Sequence, residues 1–424
     1  MEDMTNKSIF NQYLFFWGGQ LFSIMGSSIV SFSITWWVTV TTGSAILLSI
    51  LSFMYILPMA LLSPIAGVIA DRHNRKIIIA IADSLQAMIT LCVIILFWLD
   101  MAYPVIVVVI MGLRGVFQAF HVPTANAILP SMVPKDKLSR MNGLNYLFTS
   151  LVNIIGPIFG AGLYAIWRIE LILWIDIITF IIAIIPLILI KIPVFTKPKQ
   201  EKENKSFIHE FKLGLKTINM IPGLVALLLW SMVLNFLLVP TSILLPYYIR
   251  FEHGGNEFDY ALINVFFSVG MIGGSLLTSV RKTWKHKLSS YFGSLVLLMS
   301  FVSVYAFVPK GMFFPMWIAN IVVGFTLPIG NTIYMTVIQL TVPKEKMGRV
   351  NSIDQSLSSI MAPIAAISAG PLADLFGIRL LFLIFSLIGS LGSIAVWKGT
   401  RLRKANYDDQ SELERISESM NNIS

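Results

Sequence analysis

Charge is scarce in this chain, and that scarcity sets the first limits. Only 12% of the residues are Asp, Glu, Lys or Arg, against about 25% in an ordinary soluble domain. Cysteine is scarcer still. Cys92 is the only one and sits inside an apolar run, so there is no disulfide framework and no thiolate metal site. It reads as a small packing residue. The five histidines, His73, His121, His209, His253 and His286, are scattered. No HExxH, P-loop or nucleophile elbow accompanies them, which argues against a membrane-embedded enzyme.

What the chain has is apolar length. Hydrophobic residues make up 56% of its 424 residues, with a mean hydropathy of +0.78. A helix needs about 20 apolar residues to cross a bilayer. Twelve runs of that order occur, at 12–38, 46–70, 77–99, 104–127, 142–166, 170–190, 222–249, 260–280, 288–308, 313–338, 351–370 and 379–397. The opening MEDMTNKSIF is acidic rather than basic and leads into a run longer than a signal-peptide core, so it predicts an uncleaved first span.

The net charge of +9 would suggest nucleic acid in a soluble protein. Its distribution gives it another meaning. With the N-terminus inside, only Arg168, Arg250, Lys310 and Arg379 of the 31 basic residues fall on the outer side, and Arg114 lies within a span. The rest cluster in the inner segments, as the positive-inside rule requires. Both termini are expected in the cytoplasm, with a lipid bilayer and no nucleic acid as partner.

Between spans six and seven the polar stretch 197–205 is too hydrophilic for the membrane. After it, Phe207, Ile208, Phe211, Leu215 and Ile218 share one helical face, with Lys212 and Lys216 on another, which suits an interfacial helix. The predicted organisation is an N-terminal bundle (1–190), a linker (191–221), a C-terminal bundle (222–397) and a polar cytoplasmic tail (398–424).

The two bundles are related. Val133-Pro-Lys-Asp-Lys-Leu-Ser-Arg-Met-Asn142 aligns without a gap with Val342-Pro-Lys-Glu-Lys-Met-Gly-Arg-Val-Asn351, at an offset of 209 residues. Pro123-x-x-Asn126-x-Ile128 has a counterpart in Pro328-x-x-Asn331-x-Ile333. A parallel repeat of six spans predicts an all-α polytopic fold of two pseudo-symmetric six-helix bundles, with a substrate site between them near the midplane.

This architecture, together with Gly67-Val-Ile-Ala-Asp71-Arg72-His-Asn-Arg75-Lys76, resembles the major facilitator superfamily, whose loop between spans two and three reads G-x-L-A-D-R-x-G-R-K. Asn74 replaces a glycine and is expected to take the left-handed turn conformation that glycine favours. Gln20-x-x-Ser23-x-x-Gly26, Thr42-Gly43-Ser44-Ala45, Val133-Pro134 and Asp176 with Phe180 resemble the drug:proton antiporter branch with its macrolide-efflux-like permeases. The resemblance implies efflux of hydrophobic or amphipathic compounds by proton antiport with alternating access. It implies no cofactor beyond the proton gradient, a bacterial plasma-membrane location and a monomer that functions alone. Export of a physiological metabolite such as a siderophore, lipid or peptide is the alternative.

The resemblance also assigns roles. Gly67, Asp71, Arg72, Arg75 and Lys76 would form a cytoplasmic gate, with Asp71 favoured at a helix N-terminus; the charges can equally be read as fixing topology alone. Gly156-Pro157-x-x-Gly160 resembles the antiporter signature of exporters, although small residues also simply let helices approach. Arg114, in the form Arg114-x-x-x-Gln118, matches the family's intramembrane arginine.

An ionisable group inside a span costs about 2.5–3.5 kcal/mol on insertion scales, so each needs a reason. Arg114 and either Asp83 or Asp176 are the proton-coupling candidates, and the residues leave the choice of carboxylate open. A structural ion pair is the other reading for Arg114. Asp354 reads as a helix-start carboxylate. Gln20, Ser23, Ser27, Ser31 and Thr35 form a polar stripe down span one, which must face protein or water rather than lipid. With Gln118, and with Ser231 and Asn235 of span seven, they are the substrate-cavity candidates. Trp36, Trp37 and Trp230 could stack on substrate, and interfacial anchoring is the commoner role.

Overall fold

The computed structural model describes residues 2–190, 192, 207–281, 284–400, 402 and 407. Among them regular structure is helical, with no strand. The helices are α1 (Glu2–Thr42), α2 (Ala45–Arg72), α3 (Arg75–Trp98), α4 (Pro104–Gly112), α5 (Arg114–Met132), α6 (Leu138–Ile166) and α7 (Ile169–Leu189). After them come α8 (Phe207–Met220), α9 (Leu224–Tyr247), α10 (Glu257–Val280), α11 (Lys287–Val302) and α12 (Val304–Phe307). The last three are α13 (Phe314–Thr341), α14 (Lys344–Phe376) and α15 (Ile378–Gly399). Taking α4 with α5 and α11 with α12, 12 of the described segments are long and apolar enough to cross a membrane. The polar stretch 197–205 and the tail beyond Tyr407 lie outside the described residues.

The chain divides into two compact units. One comprises Met1–Pro198, Ile243–Val265 and Ala366–Pro371, the other Lys199–Ser242, Phe266–Ala365 and Leu372–Ser424. In the first unit α1 packs on α6 and α7, α2 on α5, and α3 between α5 and α7. In the second, α11 packs between α13 and α15.

Packing in the first unit is layered. Tyr13, Phe16, Ile79, Ile128, Met132 and Leu187 close one end of the helix group. Ile34 and Val38 of α1, with Val93, Val107 and Leu173, close the other. Each of α1, α3 and α7, and α4 taken with α5, therefore carries apolar residues on both sides of a short polar segment. The outward faces are apolar too, as at Leu61, Ile65, Ile77, Ile81 and Met88. Polar groups placed between such layers must find partners within the protein.

The repeated segments have the same backbone. Val133 ends α5 at φ −103°, ψ 127°, and its N–H donates to Leu129 O at 3.1 Å. Val342 ends α13 at φ −100°, ψ 125°, donating to Ile338 O at 3.0 Å. Pro134 (φ −55°, ψ 144°) and Pro343 (φ −57°, ψ 145°) follow. Proline fixes φ and supplies no N–H, so each helix stops there in the same way. The copies then diverge. A 3₁₀ turn, Lys135–Lys137, precedes α6, whereas α14 begins at once at Lys344.

Several local expectations change. Asn74 has φ −68°, not a left-handed value, and acts as the N-cap of α3: its side chain accepts from Lys76 N–H at 3.0 Å. Asn suits this turn because it can cap a helix. Asp354 lies in the third turn of α14, because the helix starts seven residues before the predicted span. Trp36 and Trp230 are buried, at 1% and 9% exposure, and Trp230 Nε1 donates to Ser393 Oγ at 3.0 Å. They are packed inside their units and so are not interfacial anchors. Cys92 faces outward.

Candidate functional site

Between the two apolar layers of the first unit lies a cavity of about 520 Å³, and every residue lining it belongs to that unit. The polar stripe of α1 forms one wall through Gln20, Ser23, Ser27, Ser31 and Thr35. Gln118, Asp83, Arg114, Asp176 and Pro157 also line it. Its apolar and aromatic surface includes Phe32, Tyr55, Phe180 and Tyr260. Tyr260 stacks on Phe32 at 5.0 Å and on Trp36 at 5.9 Å between ring centroids.

Arg114 and Asp176 form a closed network across four helices. Arg114 Nη1 lies 2.9 Å from Asp176 Oδ2, and Nη2 donates to Oδ1 at 3.2 Å. Thr90 Oγ1 of α3 donates to Oδ2 at 2.7 Å and accepts from Nη1 at 3.1 Å. Ser27 Oγ of α1 does the same on the other oxygen, at 3.0 and 3.2 Å. Both charged side chains are under 10% exposed. Bidentate, charge-assisted bonds of this kind are among the strongest polar contacts, and here they tie α1, α3, α5 and α7 at one level. Gly115 lets α5 approach α2 next to Arg114, since a Cβ there would come within 2.8 Å of Tyr55 Cα.

Asp83 has a different partner. His121 Nδ1 of α5 lies 2.6 Å from Asp83 Oδ1, with the two side chains 13% and 8% exposed. Asp83 and Thr90 are two turns apart on the buried face of α3, with Gln86 and Ala87 between them, so the two carboxyl sites stand about 10 Å apart along the helix. Gln20 is 6% exposed, and neither end of its amide has a hydrogen-bond partner among the described residues.

The small-residue motif of α6 is a packing device against α1. A Cβ on Gly156 would stand 2.7 Å from Ser28 Cβ, and one on Gly160 would stand 2.7 Å from Phe32 Cδ1. The basic residues after α2 hold helix ends. Arg75 Nε donates to Ala70 O at 3.2 Å and Nη1 to Ala127 O at 2.8 Å. Lys76 Nζ donates to Ile188 O at 2.5 Å and Ile190 O at 2.9 Å. Cations belong at C-terminal carbonyls, which carry the negative end of the helix dipole, and here they draw together the ends of α2, α5 and α7. Asp71, 63% exposed, reaches Arg75 at 3.4 Å. Arg72 is exposed and Gly67 is half-buried, with open space around it.

Of the residues expected from the sequence, the cavity gathers the α1 stripe, Gln118, Asp83, Arg114, Asp176 and Pro157. Ser231 and Asn235 lie in the second unit, where Asn235 Nδ2 donates to Ser231 O at 3.0 Å. His121 was missed. Asp83 is eight residues from the start of α3 and His121 eleven from the end of α5, at the same end of the unit, and that matched depth was the available signal.

The Major Facilitator Superfamily model matches residues 16–366. The chain belongs to that superfamily. It is 28% identical over 386 residues to macrolide efflux protein A of Streptococcus pyogenes, covering 91% of this chain and 94% of that one. It is 26% identical over 379 residues to the multidrug efflux pump Tap of Mycolicibacterium fortuitum, covering 88% and 92%. Among solved structures, a bacterial homologue of the iron transporter ferroportin shares the fold with a TM-score of 0.68 at 18% identity, over 92% of this chain and 99% of that chain. The chain is thus an all-α, twelve-span transporter of the superfamily, a multi-pass protein of a bacterial plasma membrane. Its family and fold are those of transporters rather than enzymes.

Proposed function

We propose that this transporter exports hydrophobic or amphipathic compounds, macrolide-like molecules among them, in exchange for protons by alternating access. The termini are cytoplasmic, one chain is the working unit, and the Asp71 segment latches the cytoplasmic side. The relatives' names support the substrate class. The observation that carries the mechanism is the pair of unlike carboxyl sites on one cavity wall.

Asp176 accepts hydrogen bonds from Ser27, Thr90 and the Arg114 guanidinium, whose other terminal nitrogen lies 2.9 Å from its second oxygen. Protonating it would break a charge-assisted contact and strand Arg114. It holds the helices at fixed charge. Asp83 faces histidine, the side chain whose charge changes in the physiological range. With a proton on His121 the pair is neutral, and without it the pair carries one negative charge. A cationic or polar amphiphile is favoured in the negative state and displaced in the neutral one. Gln20 offers an unused donor and acceptor in the same cavity, and the aromatic wall takes the apolar body of the substrate. The Arg114–Asp176 pair is then structural, and the exchangeable proton belongs to Asp83 with His121.

The test is uptake of a cationic dye, rhodamine 6G, into inverted vesicles under an imposed pH gradient. Uptake that is abolished by an uncoupler, and by Asp83→Asn or His121→Gln, is the expected result. Uptake indifferent to the gradient would remove the antiport reading.

A further inference from the structure

Four carboxyl side chains are buried among the described residues: Asp83, Glu170, Asp176 and Asp354. Three of them have a basic partner, with Glu170 held by Arg168 at 2.7 Å and the other two as described above. Asp354 has none. It sits ten residues into α14, about 15 Å from the helix start, and is 8% exposed.

Its surroundings are phenolic. Tyr334 of α13 donates its hydroxyl to Asp354 Oδ1 at 2.5 Å. Tyr291 of α11 stacks behind Tyr334 at 6.0 Å and 29°. Both rings are under 10% exposed. Ser231 of α9 faces the same phenol. The nearest charges along the chain lie toward the start of α14, at Arg349, Lys346 and Glu345. The helix α8 packs its Gly214 against Arg349 and Ile353 and carries Lys212 and Lys216 on its exposed side. None of these cations pairs with Asp354.

An ionised carboxylate at membrane depth needs a counter-charge or water. A phenol supplies one hydrogen bond and no charge. A neutral carboxyl, in contrast, is satisfied by a phenol that can accept its proton or donate to its carbonyl oxygen. We propose that Asp354 is a second proton-binding site, occupied while it is buried against Tyr334 and emptied when the transport cycle opens its surroundings to water. Its proton adds to the exchange at Asp83 and His121 and does not replace it. Building on the proton-coupled export proposed above, each cycle then returns two protons rather than one.

Infrared difference spectra of the purified full chain in lipid, between mildly acidic and mildly alkaline buffer, test the site directly. The C=O stretch of a protonated carboxyl should be present, should vanish in Asp354→Asn, and should shift without vanishing in Tyr334→Phe. A band unchanged in Asp354→Asn, or no such band in the parent protein, overturns the proposal. This readout decides whether or not Asp354→Asn still transports. In proteoliposomes with the membrane potential clamped, rhodamine 6G accumulation should follow the square of the imposed proton ratio. In Tyr334→Phe it should keep that dependence, and in Asp354→Asn it should fall to the first power. First-power dependence in the parent protein sinks the second proton and leaves coupled export standing. No gradient dependence in the parent sinks the export reading, while the infrared band still reports on Asp354.

Discussion

Asp176 and Asp354 are the same residue type, both buried, both within membrane-length helices, and their neighbours give them opposite roles. Asp176 meets a guanidinium and two hydroxyls that each donate to it while accepting from the arginine. Asp354 meets one phenol. The first arrangement fixes a charge and the second tolerates a neutral acid. Asp83, against an imidazole, stands between them. The partner rather than burial alone decides whether a membrane carboxyl is a clamp or a proton carrier.

The comparison can be broken most forcefully at the clamp. Arg114→Ala leaves Asp176 buried and unpaired, and loss of about 3–5 kcal/mol is expected. That should appear as a collapse of thermal stability in detergent, whereas the paired change Arg114→Met with Asp176→Leu should restore much of it. Recovery of stability by the double variant together with retained gradient coupling would confirm that the pair is structural.

The next effect is steric. Gly156→Val must push α6 away from Ser28, and overpacking costs about 1–3 kcal/mol. The thermal midpoint should fall, and the α1 wall of the cavity should be disturbed with it, lowering dye affinity. A Gly67→Ala change meets open space and should leave the midpoint unmoved. The smallest effect is expected at Lys76→Ala. It removes two hydrogen bonds to the end of α7 at a partly solvated edge, worth about 0.5–1.5 kcal/mol, and hydrogen exchange should rise at the C-terminal turn of α7.

The twelve spans, the repeat and the α1 stripe were legible because each rests on a local rule. Apolar length marks a span, Val-Pro ends a helix in both copies, and polar groups spaced three and four apart fall on one face. Choosing between Asp83 and Asp176 was not local. Ser27, Thr90, Arg114 and Asp176 come from four helices, and the widest pair is 149 residues apart in the chain. Depth along each helix pairs Asp83 with His121 once α3 and α5 are known to be neighbours, which one chain alone does not reveal. Asp354 was misplaced because the apolar run begins at 351, while helix propensity carries α14 back to Lys344.

The most direct test compares two modes of rhodamine 6G movement in proteoliposomes carrying His121→Gln. Substrate–substrate counterflow needs binding and alternating access, and gradient-driven accumulation also needs the exchangeable proton. The variant is predicted to keep counterflow and lose accumulation. Accumulation equal to that of the parent protein would contradict the assignment of the proton to Asp83 and His121.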